Sequence, residues 1–187
     1  MADLKNKYNA LSKPLITPEP SLAVGSEKSH VLGMADLLVA TAPVRLVTLG
    51  LGSCIGLVLF DQQAKVAGMA HIMLPDSRGS GGSEKVGKFA DTAVPALVDE
   101  MLRYGANRAR IRAKIAGGAQ MFALPGASAD FLTVGAKNVR ETTMRLARLG
   151  IALVASDTGG NRGRTIEFST ANWLLKVKTL GKGVAEI

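Results

Sequence analysis

The chain contains one cysteine, Cys54, and two histidines, His30 and His71, which are its natural candidates for nucleophilic chemistry. Cys54 lies in the stretch GLGSCIG, residues 50–56. A thiol attacks as its thiolate, and an ordinary thiol pKa of about 8.5 keeps it mostly protonated at neutral pH. A neighbouring imidazolium would stabilise the thiolate, and the same ring can later protonate a leaving group. The alternative is a small, buried and unreactive cysteine.

The sequence between these two residues predicts a hairpin that brings them together. The run IGLVLF after Cys54 is typical of a strand buried on both faces, DQQA forms a polar turn, and the next strand contains His71. If Phe60 faces Lys65 across this turn, Cys54 faces His71, with Cβ atoms about 4.5–5.5 Å apart. A slip of one residue would turn the histidine to the other face.

The residues around the thiol predict room for a substrate. Without side chains, Gly50, Gly52 and Gly56 let an extended substrate backbone approach and let the chain turn so that the thiol protrudes. The backbone at Gly52, Ser53, Cys54 and Gly56 therefore supplies the candidate oxyanion donors and the approach for substrate.

An imidazole base also needs a partner that orients its ring. No Asp or Asn stands out for this task, and the hydroxyl of Thr48, six residues before Cys54, is one possibility. On residue chemistry alone, an ordinary β-branched strand residue is the simpler interpretation of Thr48.

Composition limits the kinds of protein that this chain can be. Its 187 residues are 47% hydrophobic and 20% charged, as in one soluble globular domain. No apolar run approaches the ~20 residues of a membrane span, and the first residues lack the apolar stretch of a signal peptide. We therefore expect a cytoplasmic protein without membrane insertion. A single cysteine excludes an internal disulfide and a multi-cysteine metal site, and we expect no metal or cofactor.

Periodicity predicts the elements that must position these side chains. Residues 1–28 are expected to form a flexible tail, and residues 29–187 a single catalytic domain. Helical spacing runs over 84–104, where Pro95 should kink or split the helix, and over 136–149. The predicted strands are 44–49, 55–60, 65–73, 108–115, 151–156, 164–168 and 173–178. Together they predict a layered α/β sandwich with a mixed, largely antiparallel sheet.

The net charge of +8 indicates an acidic partner. In RARIRAKI, residues 108–115, the basic and apolar positions alternate, which predicts a strand with one solvated basic face. A plain surface strand fits this pattern equally well, and the absence of interleaved aromatics weighs against nucleic acid as the partner. The candidate docking residues are Arg110, Arg112, Arg162 and Arg164.

Two glycine-rich stretches imitate nucleotide-binding loops. Residues 82–88 match most of a P-loop, but Phe89 stands where a magnesium-binding Ser or Thr is needed. The glycines of 50–56 open a strand, whereas a dinucleotide-binding turn must open a helix. Neither stretch therefore supports a nucleotide site.

Five ordered motifs, spread over about residues 31–178, resemble the chemoreceptor glutamine deamidase family, CheD. They are TLGLGSCIG (48–56), GMAHIMLP (68–75), KIAGGAQMF (114–122), GAKNV (135–139) and DTGGNRGR (157–164). The resemblance implies an α/β sandwich related to papain-like thiol enzymes and to glutamine-deamidating toxins.

The resemblance also implies roles for individual residues. The catalytic cysteine, histidine and threonine of the family fall on Cys54, His71 and Thr48. The implied reaction is hydrolysis of glutamine side chains of methyl-accepting chemoreceptors to glutamate through a cysteine thioester, in chemotaxis adaptation. Some members also hydrolyse receptor methyl esters, and some bind the phosphatase CheC.

Two alternatives from other classes stay open at the sequence level. One is a non-catalytic chemotaxis adaptor that only binds CheC or receptors. The other is a basic nucleic-acid-binding protein, which would bind DNA or RNA with a steep dependence on salt.

Overall fold

The computed structural model describes residues 27–82, 84–120 and 134–187, which form two β-sheets and two α-helices. The strands are β1 (Lys28–Leu32), β2 (Leu37–Thr41), β3 (Val44–Leu51), β4 (Ile55–Asp61), β5 (Val66–Ile72), β6 (Arg112–Gly117), β7 (Ala152–Thr158), β8 (Arg164–Ser169), β9 (Leu174–Thr179) and β10 (Gly183–Glu186). The helices are α1 (Ala90–Arg103) and α2 (Val134–Arg148), and a short 3-10 helix (Val86–Lys88) precedes α1.

The strands form an outer sheet, in the order β1-β3-β8-β9-β10, and a central sheet, in the order β2-β5-β4-β6-β7. The β1–β3 and β6–β7 pairs are parallel, and every other neighbouring pair is antiparallel. The predicted layered α/β sandwich with largely antiparallel pairing is therefore confirmed, with two sheets in place of one. Neither helix within the described ranges is long and apolar enough to cross a membrane.

Two apolar cores lie on either side of the central sheet. Along β4, Leu57 and Leu59 pack with residues of α1 such as Leu97, whereas Val58 and Phe60 pack against the outer sheet. Every residue of β4 and β5 is buried, as predicted for strands covered on both faces. A residue whose side chain lies between the two sheets can therefore meet side chains of both.

The predicted register of the β4–β5 hairpin is wrong by two residues. Phe60 pairs with Ala67, and His71 pairs with Gly56 in place of Cys54. The four-residue loop is 62–65, one residue later than predicted, because Asp61 stays in the strand and its carboxylate accepts hydrogen bonds from two backbone N–H groups of the loop. A shift of two keeps every side chain on its predicted face.

The predicted solvated basic face of the β6 segment is also wrong. The strand begins only at Arg112, and Lys114 is buried between the sheets. Its Nζ donates to the carbonyls of Trp173 (2.8 Å) and Ile187 (2.7 Å) and lies 5.4 Å from the centre of the Phe60 ring. Burial lowers the pKa of Lys114. Arg112 is exposed, so of the predicted basic face it is Lys114 that packs against the outer sheet.

Element boundaries depart from the prediction at three further places. The first helical segment breaks at Phe89, which is extended, and α1 continues through Pro95, so the predicted split at the proline is wrong. Strands β1, β2 and β10 were not predicted. Of the predicted tail, residues 1–26 lie outside the described residues. Glu27 accepts hydrogen bonds from Ser169 and Ala171, and Lys28 begins β1.

Candidate active site

A hydrogen bond between the two sheets joins Thr48 to His71. Thr48 lies on β3 of the outer sheet and His71 on β5 of the central sheet, and both are buried. The Thr48 hydroxyl lies 2.8 Å from His71 Nδ1 and donates to the carbonyl of Leu32 at 2.9 Å. The partner that the sequence offered only as one possibility is thus in contact with the ring.

This hydrogen-bond chain fixes which ring nitrogen of His71 carries the proton. A hydroxyl has one hydrogen, and that of Thr48 is donated to Leu32. Towards the ring it can only accept, so Nδ1 carries the N–H and Nε2 holds the lone pair of the neutral imidazole. Nε2 is buried and has no hydrogen-bond partner among the described residues. His71 is therefore oriented as a base with a free acceptor.

Cys54 lies one residue before β4, the strand that pairs with the strand of His71. It ends the bend between β3 and β4, is half-buried, and packs against the core between the two sheets. Gly56 pairs with His71 in the β4–β5 ladder. Cys54, two residues before Gly56, is therefore the diagonal neighbour of His71 and lies one residue beyond the last pair of this ladder. In a regular sheet such residues have Cα atoms about 7–8 Å apart, within reach of long side chains.

The electrostatics favour two neutral groups, which differs from the resting ion pair predicted from the sequence. Burial raises the pKa of the Cys54 thiol, and its own backbone N–H offsets part of that effect. Burial lowers the pKa of His71, and the nearby Asp36 carboxylate opposes this change. No sequence pattern singles out Asp36, whose backbone carbonyl also accepts the N–H of His71.

The loop after β6 supports the bend that carries Cys54. Gly118 N–H donates to the Cys54 carbonyl and Ala119 N–H to that of Gly52, both at 2.8 Å. Gly117 has a φ of 117°, and a Cβ there would collide with the Cys54 carbonyl oxygen. A pair of glycines that is typical of a sharp turn in the sequence thus permits close contact with the backbone of Cys54.

The glycines before and after Cys54 have different tasks. Gly50 has a φ of 69° and open space where a Cβ would be, which fits the irregularity in the β3–β8 pairing between Thr48 and Leu51. Gly56 is buried, and a Cβ there would collide with the Ile166 and Leu51 side chains. Its predicted part in substrate approach is therefore wrong: it allows the two sheets to pack closely.

The four candidate docking arginines lie in two places. Arg110 pairs with the buried Asp61 at 3.0 Å, and Arg112 begins β6. Both lie at the opposite end of β4 from Cys54, on the order of 20 Å away at about 3.3 Å per residue. Arg164 is buried and pairs with Asp157 at 2.8 Å, and the exposed Arg162 donates to a backbone carbonyl.

Comparison with known proteins assigns this arrangement to a family. The family model described as CheD chemotactic sensory transduction matches residues 73–179. A protein of Caldanaerobacter subterraneus named probable chemoreceptor glutamine deamidase CheD is 51% identical over 83% of this chain and 96% of its own length. A protein of Halalkalibacterium halodurans named chemoreceptor glutamine deamidase CheD is 46% identical over 83% of this chain and 96% of its own length.

Among solved structures, the hypothetical protein YfiH of Bacillus licheniformis aligns with a TM-score of 0.43 and 15% identity, covering 71% of this chain and 59% of that one. The architecture and site define a layered α/β protein with an oriented histidine and a cysteine at the same end of two paired strands. With the family match and the relatives, the chain belongs to the CheD family.

Proposed function

We propose that this protein hydrolyses glutamine side-chain amides of methyl-accepting chemoreceptors to glutamate, with Cys54 as nucleophile, His71 as base and Thr48 as the group that orients His71. The observation that carries the proposal is the hydrogen-bond chain from Leu32 through Thr48 to His71, which leaves Nε2 as a buried acceptor without a partner among the described residues, on the strand that pairs with β4 just after Cys54. The relatives named as chemoreceptor glutamine deamidases support the choice of substrate.

The first half of the reaction forms a thioester. The Cys54 sulfur attacks the amide carbon while its proton passes to His71 Nε2, and the carbonyl oxygen becomes an oxyanion. The C–N bond then breaks, the proton moves from His71 to the departing nitrogen, and ammonia leaves. Because both groups start neutral, proton transfer accompanies the attack rather than preceding it.

The second half of the reaction releases the product. Water attacks the thioester carbon and gives a proton to neutral His71, the C–S bond breaks, and the sulfur recovers the proton from the imidazolium. The receptor side chain is then a glutamate, and the enzyme is back in its starting state. The same steps applied to a methyl ester would release methanol, so receptor methylesterase activity is an expected side reaction.

The proposed setting is the cytoplasm, at the cytoplasmic domains of the receptors, with CheC as a further proposed partner. A direct test incubates the purified protein with a chemoreceptor cytoplasmic fragment and measures released ammonia against new glutamate. We expect equal amounts of both. Binding without ammonia release would favour the adaptor alternative, and salt-dependent binding to DNA alone would favour the nucleic-acid alternative.

Replacing Thr48 by valine is expected to lower kcat by roughly 10- to 100-fold, at the low end of what positioned proton transfer contributes. Valine has nearly the same shape, but it cannot accept a hydrogen bond from Nδ1–H, so the ring can take the wrong tautomer. Steady-state kinetics would test this, with folding checked by circular dichroism. Unchanged kcat in a folded variant would contradict the orienting role.

The acid limb of the kcat/KM profile is expected to have its midpoint below the ordinary histidine value of about 6.5. Burial lowers the pKa of His71, so the base stays unprotonated to lower pH than a free imidazole would. The Asp36 carboxylate opposes this shift, so Asp36→Asn should move the limb to still lower pH.

The matched control for this pH prediction is Asp76→Asn, which removes a carboxylate paired with Arg78 instead. It should leave the midpoint of the acid limb in place. A wild-type midpoint above that of free histidine, or a shift to higher pH in Asp36→Asn, would contradict the account.

A further inference from the structure

The three carbonyls of the bend that carries Cys54 are each held by a donor from elsewhere in the fold. Those of Gly52 and Cys54 accept backbone N–H groups of the loop after β6. The middle one, of Ser53, accepts the side-chain amide of Asn138 at 2.9 Å. Asn138 lies on α2, 85 residues along the chain from Ser53.

Asn138 is bound on both sides through the same nitrogen. Its Nδ2 donates one hydrogen to Ser53 O and the other to Met73 O, at 2.9 and 2.8 Å. Met73 lies two residues after His71. Asn138 is fully buried, and its Oδ1 has no hydrogen-bond partner among the described residues. A buried oxygen without a hydrogen-bond partner lowers the stability of the fold. The two hydrogen bonds that the Asn138 amide nitrogen donates are therefore the contacts that account for the position of this residue.

The bond to Ser53 also fixes the next N–H group along the chain. The peptide unit is planar and trans, so the N–H of Cys54 points opposite to the carbonyl of Ser53. That N–H lies within hydrogen-bonding range of the Cys54 sulfur, the atom that would attack the amide. The N–H of the nucleophile itself is a common oxyanion donor in acyl transfer.

We propose that Asn138 is a positioning residue, which holds the Ser53–Cys54 peptide so that the Cys54 N–H is directed at the oxyanion. This inference rests on the proposed function. Loss of an oxyanion donor raises the barrier of the chemical step with little effect on ground-state binding. Replacing Asn138 would misplace the oxyanion donor without removing it. We therefore expect kcat to fall with little change in KM, but by less than after direct loss of the donor.

The test compares Asn138→Ala and Asn138→Asp with Thr142→Val in the full-length protein. Aspartate keeps the shape but can donate at most one hydrogen. Thr142 lies one turn further along α2, is equally buried, and its hydroxyl has no partner among the described residues, so it is a matched control. Two rates are measured: ammonia release from a chemoreceptor cytoplasmic fragment, and alkylation of Cys54 by iodoacetamide, which forms no oxyanion.

We expect kcat for ammonia release to fall about 10- to 100-fold in both Asn138 variants, with KM within a few-fold and alkylation nearly unchanged. Thr142→Val should match the wild type in both rates. The proposal is overturned if the Asn138 variants keep wild-type kcat, if both rates fall in parallel, or if Thr142→Val loses as much. Ammonia release that persists in Cys54→Ala would overturn the proposed function instead.

Discussion

Replacing Cys54 by alanine is expected to abolish ammonia release from a receptor fragment, a loss of at least roughly 10⁴-fold. No other thiol exists in the chain to replace it. Cys54→Ser should be almost as inactive, because neutral His71 is the only base proposed for a hydroxyl that is far less acidic than a thiol. The measurement is ammonia release by purified variants at equal concentration.

The matched control for the cysteine is Ser53→Ala, one residue earlier in the same bend. Its backbone carbonyl, which accepts Asn138, is retained, so near-wild-type activity is expected. Thermal unfolding should differ little among the variants, because Cys54 is only half-buried. A folded Cys54→Ala protein with wild-type ammonia release would contradict the nucleophile assignment.

Replacing His71 by glutamine is the second large effect, with an expected fall in kcat of about 10²- to 10⁴-fold. Glutamine fills a similar volume and can bond to Thr48, but it cannot take and return the thiol proton. Since the thiol pKa is raised by burial, the thiolate population at neutral pH is too small to compensate. Fixed-time assays of ammonia release over a range of pH would measure the fall in kcat.

The other histidine of the chain supplies the control. His30 lies on β1, where it pairs with Leu46, and the proposed mechanism makes no use of it. His30→Gln should therefore retain wild-type kcat. Equal losses in the two variants would mean that the histidine effect is structural, and unchanged kcat in His71→Gln would contradict its role as base.

The sequence predicts the central part of the fold well because its signals are local. Continuous apolar strands such as β4 and the helical spacing of α2 depend on neighbouring residues alone. The predicted hairpin register is wrong because the Asp61 carboxylate accepts hydrogen bonds from the loop backbone, and Asp61 itself remains the last residue of the strand. Lys65, with a φ of 57°, then takes a left-handed turn conformation that its residue type does not announce.

Contacts between distant elements account for the rest of the difference. Thr48 contacts His71 between the two sheets. Residue chemistry offered Thr48 only as one possibility, and the family resemblance assigned its role. Asn138 reaches the cysteine bend from a helix that follows it by more than 80 residues. A signal for it did exist, because it lies in the GAKNV motif (135–139), one of the five motifs that carry the family resemblance. Lys114 was misread because the outer sheet that covers it is assembled from segments far along the chain.

Burial raises the pKa of the Cys54 thiol and lowers the pKa of His71, so it favours the neutral forms of both groups. A resting thiolate would react with any electrophile that entered, whereas in the proposed mechanism the thiol is activated only when His71 accepts its proton. The Thr48 hydrogen bond favours the tautomer that this mechanism requires. In the proposed mechanism the fold thus supplies a prearranged base, and the substrate completes the site.

The most direct test of the central claim is mass spectrometry of chemoreceptors from cells that express either the wild-type protein or Cys54→Ala. The account predicts that specific receptor glutamines are converted to glutamate with the wild type and remain glutamine with the variant. Conversion that persists with Cys54→Ala, or receptors that stay unmodified with the wild type, would contradict it.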